Sequence, residues 1–178
     1  MNQEVNSPLN GHPAPEHKPE VSYSIGDYSV FRVSHSNPEH RKILHRVVVC
    51  ALQFIDQYNA ETDPQWLVNL IYNNFKQRTD HVFILVAVDS SGNIVAHSIS
   101  YVDWYQNFDY VAQVLQAEKS KEIEGREFWL LTEKLTEEWG RSLGLKNVFL
   151  SARSEAHARL YGQHGYSQFR TVMRKDIG

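Results

Sequence analysis

Apolar residues recur at helical spacing through Ile43, Leu44, Val47, Val48, Ala51, Leu52 and Ile55, one stripe on a helix reaching about residue 58. Just before it, Ser36-Asn37-Pro38-Glu39 has the form of a helix start, a polar cap followed by proline at the first helical position. Asp63-Pro64 repeats that start, and Leu67, Leu70, Ile71, Asn74 and Phe75 carry a second amphipathic helix. Stripes of this width are what a helix buries, so both faces predict core contacts rather than a ligand site.

The period changes to that of strands on either side. Tyr28, Val30 and Phe31 to Val33 predict a first strand, and the β-branched run 81–89 a buried one. Ser90-Ser91-Gly92-Asn93 reads as a hairpin turn, with 94–102 returning as a strand. Residues 103–109 read as an aromatic, polar loop and 110–116 as a further strand. A helix over about 127–142 follows, striped by Phe128, Leu131, Leu135 and Trp139, supported by Glu137 and Arg141, and ended by Gly144. Residues 147–152 predict a strand, 155–164 a short helix capped by Gly165, and 167–175 a last strand. This order predicts an α/β sheet with antiparallel hairpins at one end and helical crossovers at the other.

Composition narrows the function classes. The chain has 178 residues, enough for one domain with its own core. Its net charge of −3 gives no general attraction to nucleic acid or to an anionic membrane. No apolar run approaches a membrane span and no leader pattern opens the chain, so the expected location is the cytoplasm. Residues 1–20 hold four of the six prolines and little to bury, and are expected to form a disordered arm before a domain over 21–178. The lone cysteine, Cys50, sits in an apolar run and is expected to be a buried thiol. The nine histidines show no metal-ligand spacing. His35, His40 and His45 are expected on a solvated face, and His97, inside a strand, as a packed or surface side chain.

The segment 130–166 carries a more specific pattern. Leu130-Leu131 open a helix, Gly144 closes it, and Ser154, His157, Leu160, Tyr161, Gly165 and Tyr166 follow beyond a strand. With the order of elements, this resembles the GNAT-type N-acetyltransferases, whose motif at this place reads Asn-x-x-Ala-x-x-Leu-Tyr-x-x-x-Gly-Phe. The resemblance implies an α/β fold with a GNAT-like mixed central sheet flanked by helices in a single domain. It also implies acetyl-CoA as cofactor and a primary amine, on a small molecule or a protein, as acceptor. On that resemblance Tyr161 stands at the general acid's place. Val114, Leu115 and Gln116 lie on the strand edge that holds the pantetheine. Lys121, Gly125, Arg126 and Ser154 lie where the phosphates are bound. Among the strand-end candidates Asp103, Asp109, Glu118 and His97, Glu118 is the first choice for the general base.

The phosphate loop departs from the family pattern Gln/Arg-x-x-Gly-x-Gly/Ala. It falls on residues 122–127, where only Gly125 is kept, Glu122 replaces the leading residue and Glu127 the last small one. Three cations (Lys119, Lys121, Arg126) face four carboxylates (Glu118, Glu122, Glu124, Glu127) across this stretch. Each close carboxylate–phosphate pair costs about 1–3 kcal/mol at intermediate dielectric. Only about a dozen residues follow Gly165, room for one strand where the family has two. A second reading therefore stays open: a catalytically inactive GNAT-fold protein serving as a homo-oligomer or a partner in an assembly such as a virion. The aromatics Tyr101, Trp104, Tyr105, Phe108 and Tyr110 fit an acceptor wall, a docking patch or a packed loop.

Overall fold

The computed structural model describes residues 22–58, 62–105, 109–119, 123, 125–150 and 155–167. The chain opens with a hairpin of β1 (Ser22–Ile25) and β2 (Tyr28–Arg32), of which the apolar pattern reveals only the second strand. α1 (His40–Tyr58) and α2 (Pro64–Gln77) follow, then β3 (Val82–Val88), β4 (Ile94–Tyr105) and β5 (Asp109–Lys119). α3 (Gly125–Ser142), β6 (Val148–Leu150) and α4 (Glu155–Gln163) complete the described elements. Among the described residues no helix is long and apolar enough to cross a membrane. The expected arm over 1–20 and the last strand from 168 onward lie outside the described residues.

Among the described residues one six-stranded sheet runs β1-β2-β3-β4-β5-β6, in chain order. The first five strands pair antiparallel, and β6 joins β5 in parallel. Alternation along β3 splits the core into two layers. Val82, Ile84 and Val86 pack with Leu44, Val47 and Val48 of α1 and with Leu67 and Ile71 of α2. Phe83, Leu85 and Ala87 pack with Phe128, Leu135 and Trp139 of α3. Gly140 lets α3 lie close to β5, since a Cβ there would sit 3.4 Å from that of Ala112. Asp63 caps α2 by accepting from Gln65 N–H, as the Asp-Pro pair predicts. Buried Asn74 closes the α2–β3 connection, its Oδ1 accepting from Thr79 Oγ1 (2.7 Å), His81 N (3.0 Å) and Val82 N (3.1 Å).

Four expectations change. α1 starts at His40, not Pro38, because Asn37 Oδ1 accepts from Glu39 N–H at 3.0 Å and holds 37–39 in a turn. His40 is buried rather than solvated: its ring stacks on Phe31 and its Nδ1 accepts from Ser34 N–H at 2.9 Å. The loop expected over 103–109 is mostly strand, since Asp103↔Val111, Trp104↔Tyr110 and Tyr105↔Asp109 continue the β4–β5 register. Aromatic residues favour such a pleated ladder. Cys50 is half-buried, not enclosed.

Candidate functional site

The β4–β5 ladder is regular except at one point. Ile99 faces Gln116 and Ser100 faces Val114, so Leu115 is an extra residue without a partner on β4. Such a bulge bends the strand and increases its twist. It lies beside the end of the described parallel β5–β6 pairing, which among the described residues covers Ala112↔Val148, Gln113↔Phe149 and Val114↔Leu150. Beyond Val114, β5 continues to Lys119 paired with β4 alone among the described residues. Among the described residues, then, β5 has one paired edge and one edge without a strand partner from Leu115 onward.

α3 begins six residues past the end of β5, anchored by the buried side chain of Ile123. Gly125 and Arg126, expected in a loop, are its first two residues, and Glu127 is the acidic residue of its first turn. The helix takes this start because a first-turn carboxylate favours the dipole and glycine is tolerated at a terminus. The first N–H groups of a helix have no intrahelical acceptors, which makes this end a place for an anion.

Behind that turn lies a cluster that the sequence pattern did not single out. Trp129 stacks on Tyr161 of α4 with centroids 5.6 Å apart and planes 14° apart. The same indole meets the edge of His164 at 4.8 Å. Glu133, one turn along α3, approaches His164 Nδ1 at 3.5 Å with only 11% of its side chain exposed. Burial pushes the Glu133 carboxyl above the usual carboxylate range, against the pull of His164. Burial and the Glu133 charge push the Tyr166 phenol well above its ordinary value, while its hydroxyl completes no well-formed hydrogen bond. Gly165 turns the chain after α4 at φ +86°, bringing Tyr166 back onto the cluster. The signal was present as Trp129, Glu133 and Glu137 at successive i,i+4 positions beside the apolar stripe of α3.

The structure thus places Leu115 and Gln116 at the bulge within β5 and Gly125 and Arg126 in the first turn of α3, and packs Tyr161 against the second turn of α3. Val114 is half-buried between Ser100 and Leu150. Glu118 lies opposite His97, which is buried, the packed one of its two expected settings. Lys121 and Ser154 lie outside the described residues. Among the described residues no group of three His, Cys, Asp or Glu side chains could hold a metal.

No family model matches the sequence, and no curated protein matches it. Solved structures do match the fold. A predicted acetyltransferase with acetyl-CoA from Clostridium acetobutylicum superposes with a TM-score of 0.64 at 9% identity, covering 84% of this chain and 96% of its own. Glucosamine-6-phosphate N-acetyltransferase from Arabidopsis thaliana gives 0.56 at 13% identity, over 85% and 99%. An acetyltransferase of Trypanosoma brucei gives 0.56 at 17% identity, over 85% and 100%. The likeness extends over the mixed six-stranded sheet and its four helices.

Proposed function

From the premise that the chain has the fold of the GNAT acetyltransferases, we propose that it is an acyl-CoA-dependent N-acyltransferase moving an acetyl group to a primary amine. The carrying observation is the Leu115 bulge, set where the described β5–β6 pairing ends, on the strand that leads into α3. That placement fits acetyl-CoA, which supplies the activated thioester. Backbone groups of Val114, Leu115 and Gln116 take the pantetheine amides. The first turn of α3, with Gly125 and Arg126, takes the phosphates, joined by Lys121 and Ser154. Glu118 takes the proton from the acceptor ammonium, directly or through water, freeing the amine to attack the thioester carbonyl. Tyr161 gives its proton to the departing sulfur. The face-on stack with Trp129 fixes the plane of its ring. The acceptor is a small molecule or a protein side chain, and the cytoplasm is the proposed location.

A non-catalytic role in an oligomer or assembly is the second reading. It is favoured by Glu127 in the first turn of α3 and by the use of Tyr161 as a packing residue. Calorimetry with acetyl-CoA separates the two. The enzyme reading expects saturable heat, and turnover of an amine lowered about a hundredfold or more in Tyr161→Phe with the fold intact. No heat and no thermal shift at millimolar acetyl-CoA would leave the second reading standing alone.

A further inference from the structure

The end of the sheet beyond the bulge, away from α3, carries a second set of groups. On β4, Ile99, Tyr101 and Asp103 alternate onto the face covered by α1 and α2. Trp66, in the first turn of α2, meets Tyr101 edge to face with centroids 5.3 Å apart, yet stays 39% exposed. The Tyr101 hydroxyl donates to Asp103 Oδ2 at 3.2 Å, and Trp104 N–H donates to Asp103 Oδ1 at 2.8 Å. Both donors are neutral. Among the described residues no cationic side chain pairs with Asp103, or with Asp63 at the start of the same α2 turn.

We propose that Trp66, Tyr101 and Asp103 form a docking site for an ammonium group, and that the acceptor is a diamine or polyamine anchored here by the amine that does not react. The substrate half of this inference rests on the acyltransferase reading. A carboxylate has about four lone-pair positions and two are taken, so a cation can still be bonded. The electron-rich faces of tryptophan and tyrosine attract the same charge. A neutral ligand would gain only the apolar part of the surface.

Direction and distance fit an anchor. The acyltransferase reading puts the cofactor's phosphates at the Lys119 end of β5, so its acyl end would point back toward the bulge. Tyr101 and Asp103 lie two and four residues past Ile99, roughly 7 and 13 Å along the strand. An extended alkyl diamine spans that gap, placing one nitrogen near the bulge and the other at Asp103.

The test titrates 1,6-diaminohexane, with 1,6-hexanediol as neutral isostere, into the protein without acetyl-CoA, followed by tryptophan fluorescence and calorimetry. The expected result is saturable diamine binding, with the diol at least about tenfold weaker. Asp103→Asn, which can still accept from Tyr101, lowers diamine affinity about tenfold. Trp66→Leu lowers it about threefold. In turnover with acetyl-CoA, Asp103→Asn raises KM for the diamine and leaves kcat near its original value, because the anchored nitrogen does not react. Equal binding of diamine and diol, or an Asp103→Asn variant that binds as tightly as the original, overturns the proposal. Binding that behaves as expected while turnover is absent sinks the acyltransferase reading and leaves the cation site in place.

Discussion

Four hydroxyls meet in the buried layer between β4 and α3: Ser98, Ser100, Thr132 and Thr136. Ser100 Oγ and Thr136 Oγ1 bond to each other at 3.2 Å. Ser98 Oγ and Thr132 Oγ1 are fully buried with no hydrogen-bond partner among the described residues. Two chemically identical substitutions should therefore act with opposite sign. Thr132→Val replaces an unsatisfied hydroxyl with a methyl of nearly the same shape. An unpaired buried hydroxyl costs about 1–3 kcal/mol, so the variant should gain about 1–2 kcal/mol. For a chain of this length that raises Tm by about 2–8 °C. Thr136→Val removes one partner of a made bond and strands the Ser100 hydroxyl, costing about 1 kcal/mol or more. Urea denaturation with an unchanged m-value measures both. A Thr132→Val variant less stable than the original would refute the reasoning. It would mean that water or backbone satisfies this hydroxyl in solution, and that the layer is a hydrated seam rather than a dry one.

Glu133→Gln tests the buried carboxylate on α3. Burial raises its pKa, so the folded chain holds that proton more tightly than the unfolded chain. This linkage adds stability below the ordinary carboxylate value and removes it as pH rises through the raised one. Glu133→Gln should accordingly be more stable than the original at pH 7, with the difference shrinking toward pH 4. Lower stability at pH 7 would show that the His164 contact outweighs burial. Glu127→Gln tests the α3 terminus as a phosphate site. Loss of the first-turn charge should tighten acetyl-CoA binding about two- to tenfold at low ionic strength while costing the helix a few tenths of a kcal/mol. Unchanged affinity would place the phosphates elsewhere.

Much of the fold is legible from period alone. The α1 and α2 stripes, the β3 run and the Phe128–Trp139 stripe each announce the face they bury. β1 escapes because Ser22–Ile25 is too short to establish alternation, and only its pairing with β2 makes it a strand. The site is less legible. Tyr161 and Gly125 follow from a resemblance in residue pattern, whereas the bulge at Leu115 depends on register across two strands and has no signature within one. Trp129, Glu133 and His164 escape for a related reason. Their meeting depends on α4 docking on α3, a contact between segments separated by about thirty residues. A stripe beside the core stripe reads as solvent-facing until its partner is known.

The strand order, identical to the chain order, has a kinetic consequence. β3, β4 and β5 form a meander whose turns close short loops at little entropic cost. β6 must instead find β5 across the whole of α3, and among the described residues it pairs over three positions. Contacts at that separation form slowly and contribute little until the helix between them has docked. Pairing β2 with β3 spans more chain still, across both α1 and α2, so these two junctions, and not the meander, are the closures of the described sheet that cost most chain entropy. A molecule bound at the β5–β6 junction would slow unfolding by holding that closure shut, so its affinity can be read from how the unfolding rate falls with its concentration.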